Sequence, residues 1–250
     1  MSTNSETGHP VNANNFIGKV NRVKQEGESY KPSNAEILIT ALEPICALIT
    51  TAMKTVSETK AALVNATAKR KIAYVQMDAY ATNAVDMLKS SGATREEEDH
   101  ASSLLAKYKG ERIGDVPNEE EIKAKAVAEG KEAVIPKTIS VSQQGFINKL
   151  SKFTDIVVYL KTVTAYKPNE EELKTETLEL FIEQVGKLNE AKDNASKAYT
   201  DALVERNKLM YAEPSGAYFL SKKIMKYVSS TKGKKSQLYK DLQKLPVKRF

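Results

Sequence analysis

The sequence predicts an all-α protein made by tandem duplication of a helical unit, with long coiled-coil-like helices paired in an elongated helical bundle. Three observations predict it: an internal repeat, apolar stripes with helical spacing, and the near absence of alternating strand patterns. Only 11 of the 250 residues are Gly and 8 are Pro, which argues against loop-rich β architectures.

The repeat is clearest at Tyr30-Lys31-Pro32-Ser33, which recurs 136 residues later as Tyr166-Lys167-Pro168-Asn169. With that offset about 40 residues align without a gap, and Arg70 is aligned with Arg206. Phe16-Ile17 also recurs, as Phe146-Ile147, at a different offset of 130 residues. We therefore predict a polar leader (1–13), a first helical repeat (14–112), a charged connector (113–142) and a second helical repeat (143–250) with a basic C-terminal face.

Each repeat contains one long predicted helix. Its start is indicated by Pro32, a Ser33 N-cap and Glu36 three residues later, and by equivalent chemistry at 168–172. Apolar residues then recur at spacings of three and four, which is typical of coiled coils. About 40 helical residues span about 60 Å, so each long helix needs a partner of similar length, and its duplicate, running antiparallel, is the obvious one. The stripes are Leu42, Ile45, Ile49, Ala52, Val56, Thr59, Leu63, Ala66, Arg70 and Ala73, and Leu178, Phe181, Val185, Leu188, Lys192, Ala195, Tyr199, Ala202, Arg206 and Leu209.

Helix breakers predict where the long helices end. Glu213-Pro214-Ser215-Gly216 ends the second one, whereas Val75-Gln76-Met77-Asp78 contains no breaker, so the first helix continues or kinks there. Pro44 predicts a kink inside the first helix. Shorter helices are predicted at about 79–90, 94–109, 217–229 and 234–245, the second with a Thr94–Glu97 capping box. The β-branched run at 155–159 has helical apolar spacing around it and is predicted as helix.

Several segments resemble a family of uncharacterised, all-helical, apparently cytoplasmic bacterial proteins of about this length. They are Gly8-His9, Asn14-Asn15-Phe16, residues 139–144, Tyr166 to Glu172, and Arg206 to Tyr211. The resemblance covers most of the chain and implies the helical fold. It implies no substrate, cofactor or catalytic residue.

The composition argues against most enzyme chemistry. One Cys and two His leave no disulfide framework, no multi-cysteine zinc site and little for a histidine-centred site, and no phosphate-binding glycine loop or hydrolase motif is present. We therefore predict no enzymatic activity, no cofactor, no metal site and no small-molecule ligand. The polar first 15 residues show no secretory signal, and the apolar stretch 37–53 contains Glu43 and Pro44, so we predict a cytoplasmic protein.

Arg70 and Arg206 occupy the same stripe position in the two repeats. A guanidinium on an apolar stripe must be paired or must reach water. The pair is therefore predicted either to bind an anion or, as the more ordinary alternative, to fix the register of the helices through an ion pair or hydrogen bond.

Charge is concentrated at the C-terminal end. Residues 219–250 hold ten cationic side chains against Asp241 alone, a net charge of +9 within a chain total of +6. Four interpretations remain open: contact with phosphate backbones, adhesion to an anionic membrane, docking onto an acidic face (94–99 or 118–121) of another copy, or a solubilising face. The cations are Lys222, Lys223, Lys226, Lys232, Lys234, Lys235, Lys240, Lys244, Lys248 and Arg249.

These patterns together predict a non-enzymatic structural or protein-interaction protein, and self-assembly is one form that the interaction can take. We rank a protein partner or a second copy first. A nucleic acid bound through the lysine-rich C-terminal region is the alternative, and a membrane surface is the second alternative.

Overall fold

The computed structural model describes residues 8–111 and 145–249. Within these ranges the chain forms seven α-helices, three short 3-10 helices and no strand, which confirms the all-α prediction. The predicted connector, the acidic segment 118–121 and residues 139–144 lie outside the described residues. The α-helices are α1 (His9–Lys24), α2 (Ile39–Ser90), α3 (Arg95–Lys109), α4 (Phe146–Thr162), α5 (Thr175–Tyr211), α6 (Ala217–Thr231) and α7 (Gln237–Gln243).

The two long helices end differently, as their breakers indicate. Helix α5 ends at Tyr211, just before Glu213-Pro214. Helix α2 continues through Val75–Asp78 to Ser90, because nothing in that segment removes a backbone donor. The helix predicted at 79–90 is therefore the last part of α2, and Pro44 lies inside its first turns.

The predicted start of the long helices is wrong by several residues. Residues Ala35–Ile37 form a separate 3-10 helix, and its cap is Asn34, whose side chain accepts a hydrogen bond from the Glu36 N–H (3.0 Å). Leu38 is extended, so α2 begins only at Ile39. The second repeat has the same arrangement, with a 3-10 helix at Glu171–Leu173 before α5. The Thr94–Glu97 capping box of α3 is confirmed.

The described chain divides into two compact units. Unit 1 comprises residues 8–65 and 193–249, and unit 2 comprises 66–111 and 145–192. Each unit has its own hydrophobic cluster, around Phe16, Leu42 and Ile224 in unit 1 and around Met77 and Phe153 in unit 2. Unit 1 therefore takes α1 and the first half of α2 from the first predicted repeat, and the end of α5, α6 and α7 from the second. Unit 2 takes α4 and the first part of α5 from the second predicted repeat, and the end of α2 and α3 from the first.

Burial follows the predicted stripes. Every stripe residue is buried or half-buried, whereas neighbouring apolar side chains such as Val64 and Val204 are about 60% exposed (59% and 62%). In unit 2, Tyr74 on α2 accepts a hydrogen bond from Asn189 on α5 (2.9 Å), and Tyr80 packs edge-on against Phe181 (4.9 Å between ring centroids). Because the residue numbers rise on one helix as they fall on the other, these two segments are antiparallel.

The predicted match between Phe16 and Phe146 is not accompanied by similar burial. Phe16 is fully buried, whereas Phe146 is 40% exposed and the following Ile147 is 74% exposed. The fully buried aromatic residue of α4 is Phe153, seven residues after Phe146. A shift of seven residues returns a helix to nearly the same face, so the apolar pattern alone does not distinguish the two phenylalanines.

Candidate interaction surfaces

Charge is divided unequally between the units. The described residues of unit 1 include nineteen Lys and Arg against ten Asp and Glu, a net charge of +9. Those of unit 2 include fourteen against fifteen, a net charge of −1. All ten cations of the predicted basic face lie in unit 1, on α6, on α7 and in the segments that follow them.

Three lysines of the predicted basic face are neutralised by carboxylates. Lys223 pairs with Glu36, Lys232 lies 4.0 Å from Glu26, and Lys244 lies 3.3 Å from Asp241. The Lys223 ammonium lowers the pKa of the Glu36 carboxyl through its hydrogen bond. The seven other cations have no carboxylate within 4.0 Å among the described residues; they are Lys222, Lys226, Lys234, Lys235, Lys240, Lys248 and Arg249.

Two of these cations cover aromatic rings. The Lys222 ammonium lies 4.3 Å from the centroid of the Tyr218 ring, and the Arg249 guanidinium carbon lies 5.9 Å from that of Phe219. Cations at these distances are attracted by the ring face. The aromatic faces at the start of α6 are therefore occupied by side chains of the protein.

A shallow cleft lies between the end of α6 and the start of α7. Lys226 and Lys234 stand on it together with two serines and a tyrosine. The lining residues are Met225, Lys226, Ser229, Ser230, Lys234 and Tyr239.

The predicted arginine pair is divided between the units. In unit 2 the Arg70 guanidinium carbon lies 4.0 Å from the centroid of the Phe146 ring, and its buried Nε has no hydrogen-bond partner among the described residues. In unit 1 Arg206 donates two hydrogen bonds to the side-chain oxygen of Asn207 (3.2 and 2.8 Å). Each arginine has its own neighbours, and the anion site stays a prediction.

A buried lysine in unit 1 was missed by the sequence reasoning. Lys19 is 4% exposed, and its ammonium donates a hydrogen bond to the hydroxyl of Ser221 (2.9 Å), which is equally buried. Burial lowers the pKa of Lys19 to about 8. The signal was present, because Lys19 lies between Phe16 and Val23 on the buried face of α1.

The segment after α7 is held to α1 by hydrogen bonds. The Asn12 amide donates to the Lys248 carbonyl (2.6 Å) and accepts from the Lys248 N–H (3.0 Å), while Asn15 donates to the Pro246 carbonyl (2.7 Å). Asn12 and His9 also contact the hydroxyl of Tyr211. Burial, and then the positive charge of Arg206, lowers the pKa of His9.

In unit 1, helix α2 exposes two large apolar side chains, Leu48 and Val64. Leu48 is 54% exposed, and it borders a groove between α2 and α5 whose wall includes a single charged residue, Glu205. Cys46 lies half-buried on the same helix, and burial followed by the nearby Glu43 raises the pKa of its thiol to about 11, so it is a poor nucleophile at neutral pH. The groove is lined by Leu48, Thr51, Ala52, Thr55, Ala202, Glu205 and Leu209.

Helix α2 is also apolar enough, by length and composition, to count as a candidate membrane span among the described residues. An 18-residue window of it has a mean hydropathy of 1.3, and 11% of that window is buried. Core helices of soluble proteins can be equally long and apolar, so these two properties are weak evidence for a membrane span.

No protein-family model, no curated protein and no solved structure matches this chain.

Proposed function

We propose that this protein is a non-enzymatic helical interaction protein that self-associates through the outward face of α2 in unit 1. The observation that carries the proposal is that Leu48 of α2 is 54% exposed beside a groove lined mainly by apolar and threonine side chains. Exposed apolar surface on a helix marks a binding face, because covering it removes apolar area from water.

The face has no charged side chain over ten residues. The stretch Pro44 to Met53 is bounded by Glu43, which pairs with Lys24 (2.5 Å), and by Lys54, which lies 3.7 Å from Glu58. Ten helical residues extend about 15 Å, half of the hydrocarbon thickness of about 30 Å that a membrane-spanning helix must cross. The length supports a protein contact more than a membrane span.

Two threonines of this part of α2 already donate within their own helix. The hydroxyl of Thr50 donates to the Cys46 carbonyl (2.9 Å), and that of Thr55 donates to the Thr51 carbonyl (3.0 Å). A hydroxyl bonded within its own helix loses no donor bond when a partner covers it, and burying a polar group is costly only when it is left unpaired. These two hydroxyls can therefore be covered by a partner at small cost.

A second copy of the chain fits this face. It carries both a groove and a projecting side chain, Leu48, so a copy related by two-fold symmetry could place its own leucine beside the groove. Symmetric contacts of this kind use the same patch on both partners. The stretch itself is uncharged, and the single charged residue of the groove wall, Glu205, lies 4.0 Å from the Lys208 ammonium, which limits the repulsion between two copies that meet there.

We further infer that the chain arose by duplication, because equivalent contacts recur in the two units. The hydroxyl of Tyr30 donates to the Ile37 carbonyl (3.0 Å), and that of Tyr166 donates to the Leu173 carbonyl (2.7 Å). In both cases the carbonyl lies seven residues later, at the end of the 3-10 helix. Each hydroxyl therefore satisfies the same orphan backbone group.

A recurring ion pair supports the same inference. Lys24 at the end of α1 pairs with Glu43, and Lys161 in the last turn of α4 pairs with Glu179 (2.6 Å). Burial along α1 and α4 also agrees at an offset of 137 residues, with Phe16, Val20 and Val23 equivalent to Phe153, Val157 and Leu160. A chance resemblance of two lysine-rich helices would not be expected to repeat a tertiary contact.

The test of self-association is light scattering on a size-exclusion column at low and moderate salt. We expect a species heavier than 27.6 kDa for the native chain. Its mass should hold or rise with salt, because salt screens repulsion between basic units and leaves apolar contact intact. Leu48→Glu should convert the species to a 27.6 kDa monomer.

The matched control is Val158→Glu. Val158 lies in unit 2 and is 55% exposed, nearly the same as Leu48 at 54%. It should leave the mass unchanged. A native chain that is monomeric at both salts would contradict the proposal, and so would equal disruption by the two variants. A species that dissociates as salt rises would instead favour docking of basic onto acidic faces, and the ratio of absorbance at 260 and 280 nm would detect bound nucleic acid.

A further inference from the structure

We propose that the cleft between α6 and α7 binds phosphate groups and holds the backbone of a double-stranded nucleic acid without regard to base sequence. The cleft uses different residues from the α2 face, so this proposal is independent of self-association. It rests on the charges, the hydroxyls and the aromatic rings around the cleft.

The cations of the cleft are available. Lys226 and Lys234 are both exposed, and neither has a carboxylate within 4.0 Å in the part of the chain that the structure describes. Lys223 and Lys232, on the same segment, are each paired. Two unpaired ammonium groups on one concave surface favour an anion, and phosphate is the common anion that lysine binds as a point charge.

The hydroxyls supply the remaining donors. The side chains of Ser229 and Tyr239 have no hydrogen-bond partner among the described residues, so both hydroxyls are free to donate. Ser230 donates to the Tyr227 carbonyl (2.8 Å), which leaves its oxygen as an acceptor only. The cleft thus offers two ammonium groups and two hydroxyls, which matches a group whose oxygens only accept.

The surroundings favour a nucleic acid over a membrane. The ten large apolar side chains exposed in the described ranges all lie between Leu38 and Val204, and none is on α6, α7 or the segment after them. Ile224, which interleaves with the lysines in the sequence, is fully buried. Adhesion to a membrane surface requires apolar side chains that enter the lipid, whereas a phosphodiester backbone in water requires only the cations and donors.

The aromatic rings favour a duplex over a single strand. Single strands bind largely by stacking of their bases on exposed aromatic faces. Here Lys222 covers Tyr218 and Arg249 covers Phe219. The lining of the cleft itself includes one aromatic ring, Tyr239, which can stack on one base at most, so the two ammonium groups and the hydroxyls favour contact with the backbone. A double helix presents its backbone while its bases stay stacked inside.

The experiment is fluorescence anisotropy with short labelled DNA and RNA duplexes, titrated with the full-length chain between about 50 and 200 mM salt. The native chain should bind a duplex at low salt and lose affinity as salt rises. Lys226→Gln with Lys234→Gln should weaken binding at low salt by about tenfold or more. The same double variant should reduce the slope of log K against log salt by about 2, because each replaced lysine leaves one phosphate without its neutralising ammonium. Comparing the DNA and RNA arms identifies the preferred duplex.

The matched control replaces two lysines of unit 2, Lys107→Gln with Lys187→Gln, which are exposed and have no ion pair among the described residues. This control changes the net charge by the same amount and should leave the slope of log K against log salt nearly unchanged. Circular dichroism checks that both double variants fold. Equal losses in the two variants would overturn the proposal. So would absence of duplex binding at low salt, tighter binding to the single strand, or binding to phosphatidylserine vesicles without binding to a duplex.

Discussion

At the scale of single residues, Lys19 places an uncompensated amine inside unit 1. Its ammonium has one hydrogen-bond partner, Ser221, and burial lowers its pKa from 10.5 to about 8. Between these two values the unfolded chain binds more protons at Lys19 than the folded chain does. The free energy of unfolding should therefore rise with pH across about 8 to 10.5, and the cost of burying the charge is complete below pH 8.

Replacing Lys19 by Met tests this linkage. The shift corresponds to about 3 kcal/mol, so Lys19→Met should raise the free energy of unfolding at pH 7 by an amount of that order and remove the rise above pH 8. Ser221 can turn its hydroxyl to a carbonyl of its own helix. Urea unfolding at pH 7, 8, 9 and 10 measures both effects.

The control is Lys60→Gln, an exposed lysine of the same unit without an ion pair in the described ranges. It should keep the pH dependence of the native chain. Parallel pH profiles for the native chain and Lys19→Met would show that the buried amine does not titrate in this range.

At the scale of secondary-structure elements, α2 is continuous through Val75–Asp78, whereas α5 ends at Tyr211, just before Pro214. Val75 is 64% exposed, so a substitution there acts on the backbone more than on packing. Val75→Pro would remove the hydrogen bond to residue 71 and clash with its carbonyl, at a cost of about 3 kcal/mol or more. Chemical unfolding followed by circular dichroism measures this loss.

Val75→Ala is the matched control for α2, because it removes the same side chain and keeps the backbone donor. It should cost little, since alanine is the best helix former and the site is exposed. A similar, small cost for Pro and Ala would mean that the helix is already broken near residue 75.

The sequence predicts these elements well where local chemistry decides them. Pro214 ends α5 and the Thr94–Glu97 box starts α3, because a missing donor and a capping side chain act within one turn. It fails at Ser33, where the start signal belongs to a 3-10 helix whose last carbonyl accepts a hydrogen bond from the Tyr30 hydroxyl. It also does not distinguish Phe146 from Phe153, which lie seven residues apart on α4.

The candidate surfaces are only partly readable from the sequence. The ten cations are visible in the sequence, but three of them have carboxylate partners, and two of those partners, Glu36 and Glu26, lie on distant segments that no local pattern reveals. The groove beside Leu48 depends on the neighbouring α5 in the same way. The burial of Lys19 is not predicted from the sequence, because a lysine among apolar residues usually extends its ammonium to water.

At the scale of the whole molecule, each core is assembled from both predicted repeats. Unit 1 packs α1 and the first half of α2 with the last part of α5 and with α6 and α7. Unit 2 packs the last part of α2 and α3 with α4 and the first part of α5. If the repeats are duplicates, their packing within one chain resembles a domain-swapped dimer, in which two copies of the same unit exchange halves.

This arrangement predicts that neither repeat folds alone. Fragments 1–112 and 113–250 each carry half of both cores, so each fragment leaves apolar residues such as Phe16 and Phe153 without their partners. Mixed at equal concentration, the fragments should regain the helical circular dichroism signal and a cooperative unfolding transition, and the complex should have the same mass in solution as the native chain. Light scattering and thermal unfolding of the separate and mixed fragments measure this. A cooperative unfolding transition in either fragment as a monomer would contradict the prediction, because it would show that one half of the chain forms a core without the other half.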